Sequence, residues 1–329
     1  MRRRLAVPLV LAGLVVAVAA GVLSGPAALA PADVWRALAG SGADATTREI
    51  LVSVRLPRVT AALLVGGMLA VSGAMFQALL RNPLAEPYLL GVSSGAALGA
   101  VGAIVLGLAR LDSWILPGAA LLGALLDVYI VFRVAWVVQR LDTRVLLLAG
   151  VVSSAFFIAC VLLLLTFARA ETLQSAFFWT LGSVGQVSWR LTGVLALWGL
   201  PGVACALLLS RQLDLLALGE ETAASLGTEV ERVKWMAYGL ASLLAAVAVS
   251  VAGIIGFVGL VVPHAVRLTW GSDHGGLVPL SFVLGGGALI LADAVGRTAA
   301  APLEIPVGVI TAVLGVPVFL VLLRRSARA

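Results

Sequence analysis

The sequence has little charge, cysteine or histidine. Charged residues make up 12% of the 329 positions, and there are only two cysteines and two histidines. Hydrophobic residues make up 61%, the mean hydropathy is +1.11, and apolar runs of about 20 residues, the length that spans a bilayer, recur along the chain. Because a charge inside a bilayer is costly, this composition excludes a soluble domain and predicts an all-α integral membrane protein.

The few reactive residues exclude most catalytic chemistry. Cys160 and Cys205 lie inside apolar runs and form neither a zinc pattern nor a CxxC pair, so we expect buried thiols and no metal site. The GxxxxGK[ST] phosphate loop is missing, so we expect no ATP hydrolysis by that route. The stretch Gly91–Gly95 matches the GxSxG pattern of serine hydrolases, but it opens an apolar run and lacks the strand that the pattern requires. We expect no catalytic residue, and scattered arginines predict no nucleic-acid partner.

Apolar runs predict nine spanning helices and a shorter tenth, within one transmembrane domain at 1–329. The run Leu5–Leu23 follows three arginines and imitates a cleavable signal peptide, but it exceeds the roughly 7 to 15 residues of a signal's apolar region and favours an uncleaved helix. The segment Gly256–Leu268 contains Pro263 and predicts a tilted or re-entrant helix. The distribution of Lys and Arg predicts that both termini are cytoplasmic. The predicted spans are 5–25, 58–80, 89–109, 115–138, 144–167, 191–209, 233–254, 277–296 and 305–323.

Glycines in these runs are spaced for close helix packing. In lipid, close approach of backbones supplies much of the contact energy between helices. We therefore expect the glycine clusters to lie at helix interfaces. These clusters are Gly91, Gly95 and Gly99, then Gly66, Gly67 and Gly73, then Gly253, Gly256 and Gly259, and finally Gly285, Gly286 and Gly287.

One segment, 211–234, which we call the platform, concentrates charge. An excess of charge between apolar runs predicts a surface that faces water. This surface is either a docking site for a partner or an ordinary solvated loop. Its charged residues are Arg211, Asp214, Glu220, Glu221, Glu229, Glu231, Arg232 and Lys234.

Asp127 is the exception inside a predicted span. An intramembrane carboxylate indicates a functional site by default, and a proton-coupled secondary transporter would need one. A single acid without a second buried acid or a histidine makes a poor proton relay. We therefore expect Asp127 to pair with a polar group on a neighbouring helix or to be neutral, and we keep secondary transport as the alternative class.

Several motifs together resemble the FecCD-type permeases, the membrane subunits of ABC importers for iron siderophores, haem and cobalamin. The resemblance covers nearly the whole chain from about residue 50. The motifs are Arg55–Arg58, Ser72–Gln77, Arg81–Pro87, Leu90–Ala96, Leu147–Gly150, Leu218–Glu221, Gly253–Leu260, Val262–His264, Ala292–Asp293 and Glu304–Gly308.

The resemblance implies a type II ABC importer permease: a homodimer of ten-helix subunits in the cytoplasmic (inner) membrane of a bacterium, surrounded by lipid. It implies two copies of a separate ATPase subunit, which binds ATP and Mg, and a periplasmic or lipid-anchored substrate-binding protein. This chain itself is expected to bind no cofactor. A ferric siderophore is the expected cargo, with cobalamin or haem as alternatives.

The resemblance also assigns roles to residues. The platform would contact the ATPase through Leu215, Leu218, Glu220 and Glu221, with Gly219 and Gly227 at helix ends. The binding protein would dock on Arg55, Arg58 and Arg297, although Arg297 is also spaced to pair with Asp293. The inner gate would lie at the start of the fifth span, where Thr143 fits the family pattern of small hydroxyl residues and Asp142 departs from it. Phe178 and Trp179, in segment 171–189, would line an outer vestibule or form an interfacial aromatic belt.

Overall fold

The structure is a bundle of helices. It is a computed structural model and describes residues 2–27, 29–40, 42, 44–137 and 140–326. The helices are α1 (Arg2–Leu23), α2 (Pro31–Ala39), α3 (Ala45–Glu49), α4 (Leu56–Leu79), α5 (Val92–Val105), α6 (Ile115–Ala135), α7 (Thr143–Thr166), α8 (Ala170–Thr180), α9 (Trp189–Leu208), α10 (Ser210–Ala217), α11 (Glu220–Ser225), α12 (Val230–Ala252), α13 (Val258–Trp270), α14 (His274–Thr298) and α15 (Val307–Ser326).

Short elements connect these helices. A π-helical segment, Ile50–Arg55, joins α3 to α4, and 3₁₀ turns lie at Pro87–Leu90 and Leu108–Arg110. Two short strands, β1 (Trp136–Val137) and β2 (Arg140–Leu141), pair antiparallel immediately before α7. The strand pair ends at Leu141, and α7 begins at Thr143.

Each predicted span overlaps a helix, and the short tenth segment is α13, but the predicted span 89–109 contains only a helix of 14 residues, α5, with a 3₁₀ turn on each side. Within the described residues, six helical segments are long and apolar enough to cross a membrane; they include a continuous Ala45–Leu79 and the helices α6, α7, α9, α12 and α14. Three apolar helices are shorter: Pro8–Leu23, Val92–Val105 and Val307–Leu322. The helix α8 lies in segment 171–189, for which the sequence predicted no helix.

The helix α4 occupies the centre of the bundle. It packs against α9, α12, α13 and α14, and it is apolar on all sides, as a fully enclosed helix must be. Glycines allow the closest of these contacts. A Cβ atom at Gly66 would overlap the carbonyl group of Gly285 on α14, and one at Gly73 would overlap that of Gly259 on α13. The predicted position at a helix interface is correct for Gly66, Gly73, Gly259 and Gly285, whereas Gly253 and Gly256 lie in the non-helical segment between α12 and α13.

The helices α5 and α6 form a second close pair. A Cβ atom at Gly95 would overlap the carbonyl oxygen of Gly123, and one at Gly99 would overlap that of Ala119. The helices α6 and α7 are much less enclosed than α4, since only 22% of the apolar 18-residue stretch of α7 and 28% of that of α6 is buried within the subunit. Their outer faces therefore lie toward lipid or another chain.

The bundle has two chemically different ends. The end of α1, the start of α4 and the end of α14 meet around Arg55, Arg58 and Arg297, which we call the arginine end. At the opposite end lie α10, α11 and the starts of α7, α12 and α14. The platform is therefore on the side of the molecule opposite the arginine end.

Candidate functional site

The platform consists of two short helices and the start of a long one. Gly219 separates α10 from α11, and Gly227 follows α11. Their φ angles, +119° and +82°, are backbone conformations that residues other than glycine rarely adopt. Both glycines lie at helix ends, as expected. Because glycine permits these turns, α10 and α11 can change direction sharply beneath the bundle.

Apolar side chains project from the platform into solvent. Leu218 is 67% exposed and Leu226 is 61% exposed, and Glu221 is exposed beside them. A groove of about 500 Å³ opens next to them. Exposed leucines rimmed by charges are typical of a surface that a protein partner covers. The groove is lined by Arg211, Gln212, Leu215, Leu226, Gly227, Thr228, Glu229, Arg232, Val233 and Met236.

One platform charge, Lys234, is buried and pairs with two glutamates. Lys234 is 3% exposed, and its Nζ lies 3.1 Å from Glu220 Oε2 and 2.9 Å from Glu231 Oε1. The second oxygen of Glu231 accepts a hydrogen bond from the backbone N–H of Leu141 at 2.7 Å. Glu220, predicted to contact the ATPase, is thus paired within the subunit, whereas Glu221 is not buried.

Asp214 fastens α10 to α14. Its Oδ1 accepts a hydrogen bond from the backbone N–H of His274 at 2.9 Å and lies 2.6 Å from the Nδ1 of the same residue. Since His274 is the first residue of α14, the carboxylate also satisfies the helix start. Sequence analysis gave no role to this pair, because the two residues are 60 positions apart.

The predicted inner gate lies at the start of α7. Asp142 caps this helix, since its Oδ1 accepts hydrogen bonds from the backbone N–H groups of Arg144 at 2.8 Å and Val145 at 3.2 Å. These bonds, first that of Val145 and then that of Arg144, hold the pKa of Asp142 below its usual value. Thr143 is the partly buried first residue of α7. Asp142 therefore has a structural role here, and gating by either residue stays a prediction.

The two aromatic residues of the predicted outer vestibule differ in their surroundings. Phe178, on α8, is 50% exposed, whereas Trp179 is partly buried and packs against the apolar core. Phe178 can contact lipid or cargo, but Trp179 anchors α8 to the bundle. The vestibule and the aromatic belt both stay predictions.

At the arginine end, Arg58 forms a buried ion pair. Its Nε lies 3.1 and 3.0 Å from the two oxygens of Asp293, and its Nη2 lies 2.9 Å from Asp293 Oδ1 and 2.9 Å from Glu304 Oε2. The side chain of Asp293 is 4% exposed, whereas that of Glu304 is 42% exposed. Arg297 lies 3.0 Å from Asp293 through its Nε, which confirms the expected local pair, although the atoms lack hydrogen-bond alignment.

Arg55 and Arg297 also cap the end of α1. Arg55 donates to the carbonyl oxygens of Val22, Leu23 and Ala27, and Arg297 donates to those of Gly21 and Ser24. The last carbonyls of a helix lack partners within it, and cations favour that end of the helix dipole. All three arginines are thus buried with internal partners rather than displayed, and the predicted docking role stays a prediction.

Asp127 pairs with serines on two neighbouring helices. It accepts hydrogen bonds from Ser94 on α5 at 2.8 Å and from Ser153 on α7, and Ser94 also contacts Ser154 at 3.1 Å. This confirms the expectation of polar partners. Within the described ranges, no three His, Cys, Asp or Glu side chains gather as a metal site would require.

The fold and the paired ends can be compared with known proteins. A model of the FecCD transport family matches residues 13–325. The chain belongs to the FecCD family. YvrB of Bacillus subtilis (strain 168), an uncharacterized ABC transporter permease protein, is 41% identical over 288 residues, which are 87% of this chain and 81% of YvrB. BtuC of Escherichia coli O157:H7, a vitamin B12 import system permease protein, is 42% identical over 276 residues, which are 84% of this chain and 83% of BtuC.

Solved structures agree with the FecCD assignment. A structure described as an inward-facing conformation of a metal-chelate type ABC transporter matches with a TM-score of 0.86 and 31% identity over 96% of this chain and 97% of the other. The PsaBC complex of Streptococcus pneumoniae matches with a TM-score of 0.57 and 17% identity, over 88% of this chain and 95% of that one, which shows a shared fold alone. This FecCD protein is therefore a multi-pass ABC importer permease, and such permeases work with separate ATPase and substrate-binding partners.

Proposed function

We propose that this FecCD permease works as a homodimer in the cytoplasmic membrane of a bacterium and imports a metal chelate. The energy comes from a separate ATPase dimer that binds ATP and Mg, while this chain binds neither. A periplasmic or lipid-anchored protein delivers the cargo. The observation that carries the proposal is the platform: Leu218 and Leu226 are exposed to water, beside a groove of about 500 Å³.

The platform is suited to a partner because exposed leucines gain by being covered. Removing apolar surface from water contributes about 25 cal/mol per Å², and a central apolar anchor within a charged rim is the usual composition of a protein interface. Glu221 and Arg211, both exposed, supply that rim. The ATPase subunit is the partner that an ABC permease needs at this surface.

Two chelates compete as the proposed cargo. Cobalamin is favoured by the 42% identity to BtuC, whose name assigns it to vitamin B12 import. A ferric siderophore is favoured by the structural match to a metal-chelate type transporter and is the expectation from sequence. Haem ranks third. The translocation path is proposed to lie between the two copies, where the outward apolar face of α7 would line it together with α15.

The binding protein is proposed to dock at the arginine end. Since Arg55, Arg58 and Arg297 already have internal acceptors, an acidic side chain of the binding protein would compete with Glu304 for Arg58. Glu304 is 42% exposed, so it is the acceptor that water and a partner reach. Such charge pairs set orientation and association rate more than affinity.

The test is co-purification from the native host in mild detergent, followed by uptake of labelled cobalamin and of a labelled ferric siderophore. An ATPase should accompany the wild-type chain and be lost, at least tenfold, from Leu218→Arg. The matched control is Leu303→Arg, which changes a similarly exposed leucine at the arginine end and should retain the ATPase. Recovery of the same ATPase with both variants would disprove the platform as its docking site. Recovery of no ATPase with the wild type would disprove the proposal as a whole.

A further inference from the structure

Lys234 is the only lysine among the 22 basic residues of the sequence, and it is buried. Its side chain is 3% exposed at the start of α12. A buried ammonium group is costly unless it is paired and hydrogen-bonded. Lysine provides a compact charge with three donors, which can face carboxylates on different elements, whereas arginine presents a planar fork. The choice of residue therefore fits a bridging role.

The bridge joins three elements of the subunit. Glu220, the first residue of α11, lies 3.1 Å from Lys234 Nζ, and Glu231, in the first turn of α12, lies 2.9 Å from it. Glu231 then accepts the backbone N–H of Leu141 at 2.7 Å. Leu141 ends β2 and precedes Asp142, the cap of α7. A chain of hydrogen bonds thus runs from the platform to the start of α7.

The link between Glu231 and Leu141 is more constrained than an ordinary surface contact. Leu141 is fully buried, and its strand, β2, pairs with Trp136 of β1, so the backbone that Glu231 contacts has little freedom of its own. The positive charge of Lys234 also contributes to the lowered pKa of Asp142, after the backbone bonds of Val145 and Arg144 and the positive charge of Arg144. Lys234 is therefore close enough to act electrostatically on the cap of α7.

We propose that Glu220, Lys234 and Glu231 form a relay that transmits movement of α11 to the start of α7 and so couples ATP hydrolysis to opening of the transport path. The three residues are positioning residues, since none of them is proposed to touch cargo or nucleotide. The inference rests on the proposed function, because it requires an ATPase that moves the platform. It adds the side chains through which that movement reaches α7.

The test compares Lys234→Met with Arg36→Met. Methionine has a similar length without the charge. Arg36 forms a pair with Asp33 at 3.0 Å, but that pair is exposed and lies outside the platform. Both variants are reconstituted in liposomes with the ATPase and the binding protein, and the uptake of cargo per ATP hydrolysed is measured. We expect Lys234→Met to hydrolyse ATP within about twofold of wild type while uptake per ATP falls about tenfold; Arg36→Met should match wild type, and Lys234→Arg should recover part of the loss.

A second readout follows the start of α7 directly. Thr143→Cys, in a background with Cys160→Ala and Cys205→Ala, provides one thiol whose labelling rate is compared with and without a non-hydrolysable ATP analogue. The nucleotide-dependent change in rate should disappear when Lys234→Met is added and persist with Arg36→Met. Glu231→Gln is the alternative if Lys234→Met does not assemble, because it keeps an acceptor for Leu141 N–H and loses the ion pair.

Three outcomes are distinguishable. Wild-type uptake per ATP in Lys234→Met or Glu231→Gln, or a persistent labelling change, overturns the relay while leaving the importer intact. An equal loss of hydrolysis and uptake, with less ATPase bound, shows that Lys234 only holds the platform together and also overturns the relay. Wild-type liposomes without any ATP-dependent uptake would instead refute the proposed function.

Discussion

The substitution Asp293→Asn should strongly destabilise the subunit, because one buried carboxylate holds two guanidinium groups. Asp293 lies within 3.1 Å of Arg58 through three hydrogen bonds and 3.0 Å from Arg297. Asparagine has the same shape, but it removes the negative charge and turns an NH₂ group toward groups that can only donate. Removing one partner of a buried ion pair costs about 3 to 5 kcal/mol.

Two further variants make this prediction quantitative. Glu304→Gln removes the second acid that contacts Arg58, but its side chain is 42% exposed, so solvent screening limits the loss to about 1 kcal/mol or less. Asp33→Asn breaks an exposed pair with Arg36 at 3.0 Å and should change stability by a few tenths of a kcal/mol. The expected order of destabilisation is Asp293→Asn first, Glu304→Gln next and Asp33→Asn last.

The assay is equilibrium unfolding of the purified subunit in mixed micelles, with denaturing detergent as the titrant and tryptophan fluorescence as the signal. The shortest distances of the three pairs are nearly equal, so the pairs differ in burial and in the number of hydrogen bonds rather than in distance. If Asp293→Asn and Glu304→Gln destabilise equally, burial does not control the strength of these pairs. The reasoning that assigns the arginine end a structural role would then fail.

Two other predictions concern the contacts between α5 and its neighbours. Gly99→Ala should destabilise the subunit by about 1 to 3 kcal/mol in the same assay, because its Cβ would overlap the carbonyl oxygen of Ala119. The control is Gly118→Ala, which has open space at its Cβ and should be neutral or stabilising. Equal losses of stability in the two variants would contradict the packing argument. Asp127→Ala should lower the free energy of unfolding by about 1 to 3 kcal/mol, because it removes the acceptor of Ser94 and Ser153. Asp127→Asn should retain ATP-driven uptake, and a proton ionophore should not abolish that uptake. Uptake lost in Asp127→Asn, and abolished by the ionophore in wild type, would favour proton-coupled transport.

The spans were predictable because hydropathy and length decide them. Helices in lipid must satisfy their backbone internally, so each long apolar run becomes a helix, and the predicted 144–167 differs from α7 by one residue at each end. The glycine interfaces were predictable for a related reason, since small residues repeat on one helix face. The pair of Arg297 with Asp293 was visible because it is local.

What the sequence did not reveal depends on contacts between distant residues. Arg58 and Asp293 are 235 positions apart, so nothing local indicates that Arg58 is buried rather than offered to a binding protein. In the platform, Glu220 and Glu221 are adjacent and chemically alike, yet one faces Lys234 and the other solvent. The only signal for this difference was the presence of one lysine in a chain that otherwise uses arginine.

The two ends of the bundle therefore respond differently to force. At the arginine end, Arg55, Arg58 and Arg297 are buried with acceptors on α1 and α14, so moving one helix would break several desolvated contacts at once. At the platform, Leu218 and Glu221 are exposed, and a short series of hydrogen bonds through Lys234 connects the platform to α7. A partner that moves α11 would therefore act on the start of α7 through Lys234, and we expect Lys234 to be the residue at which ATP hydrolysis and transport can be separated.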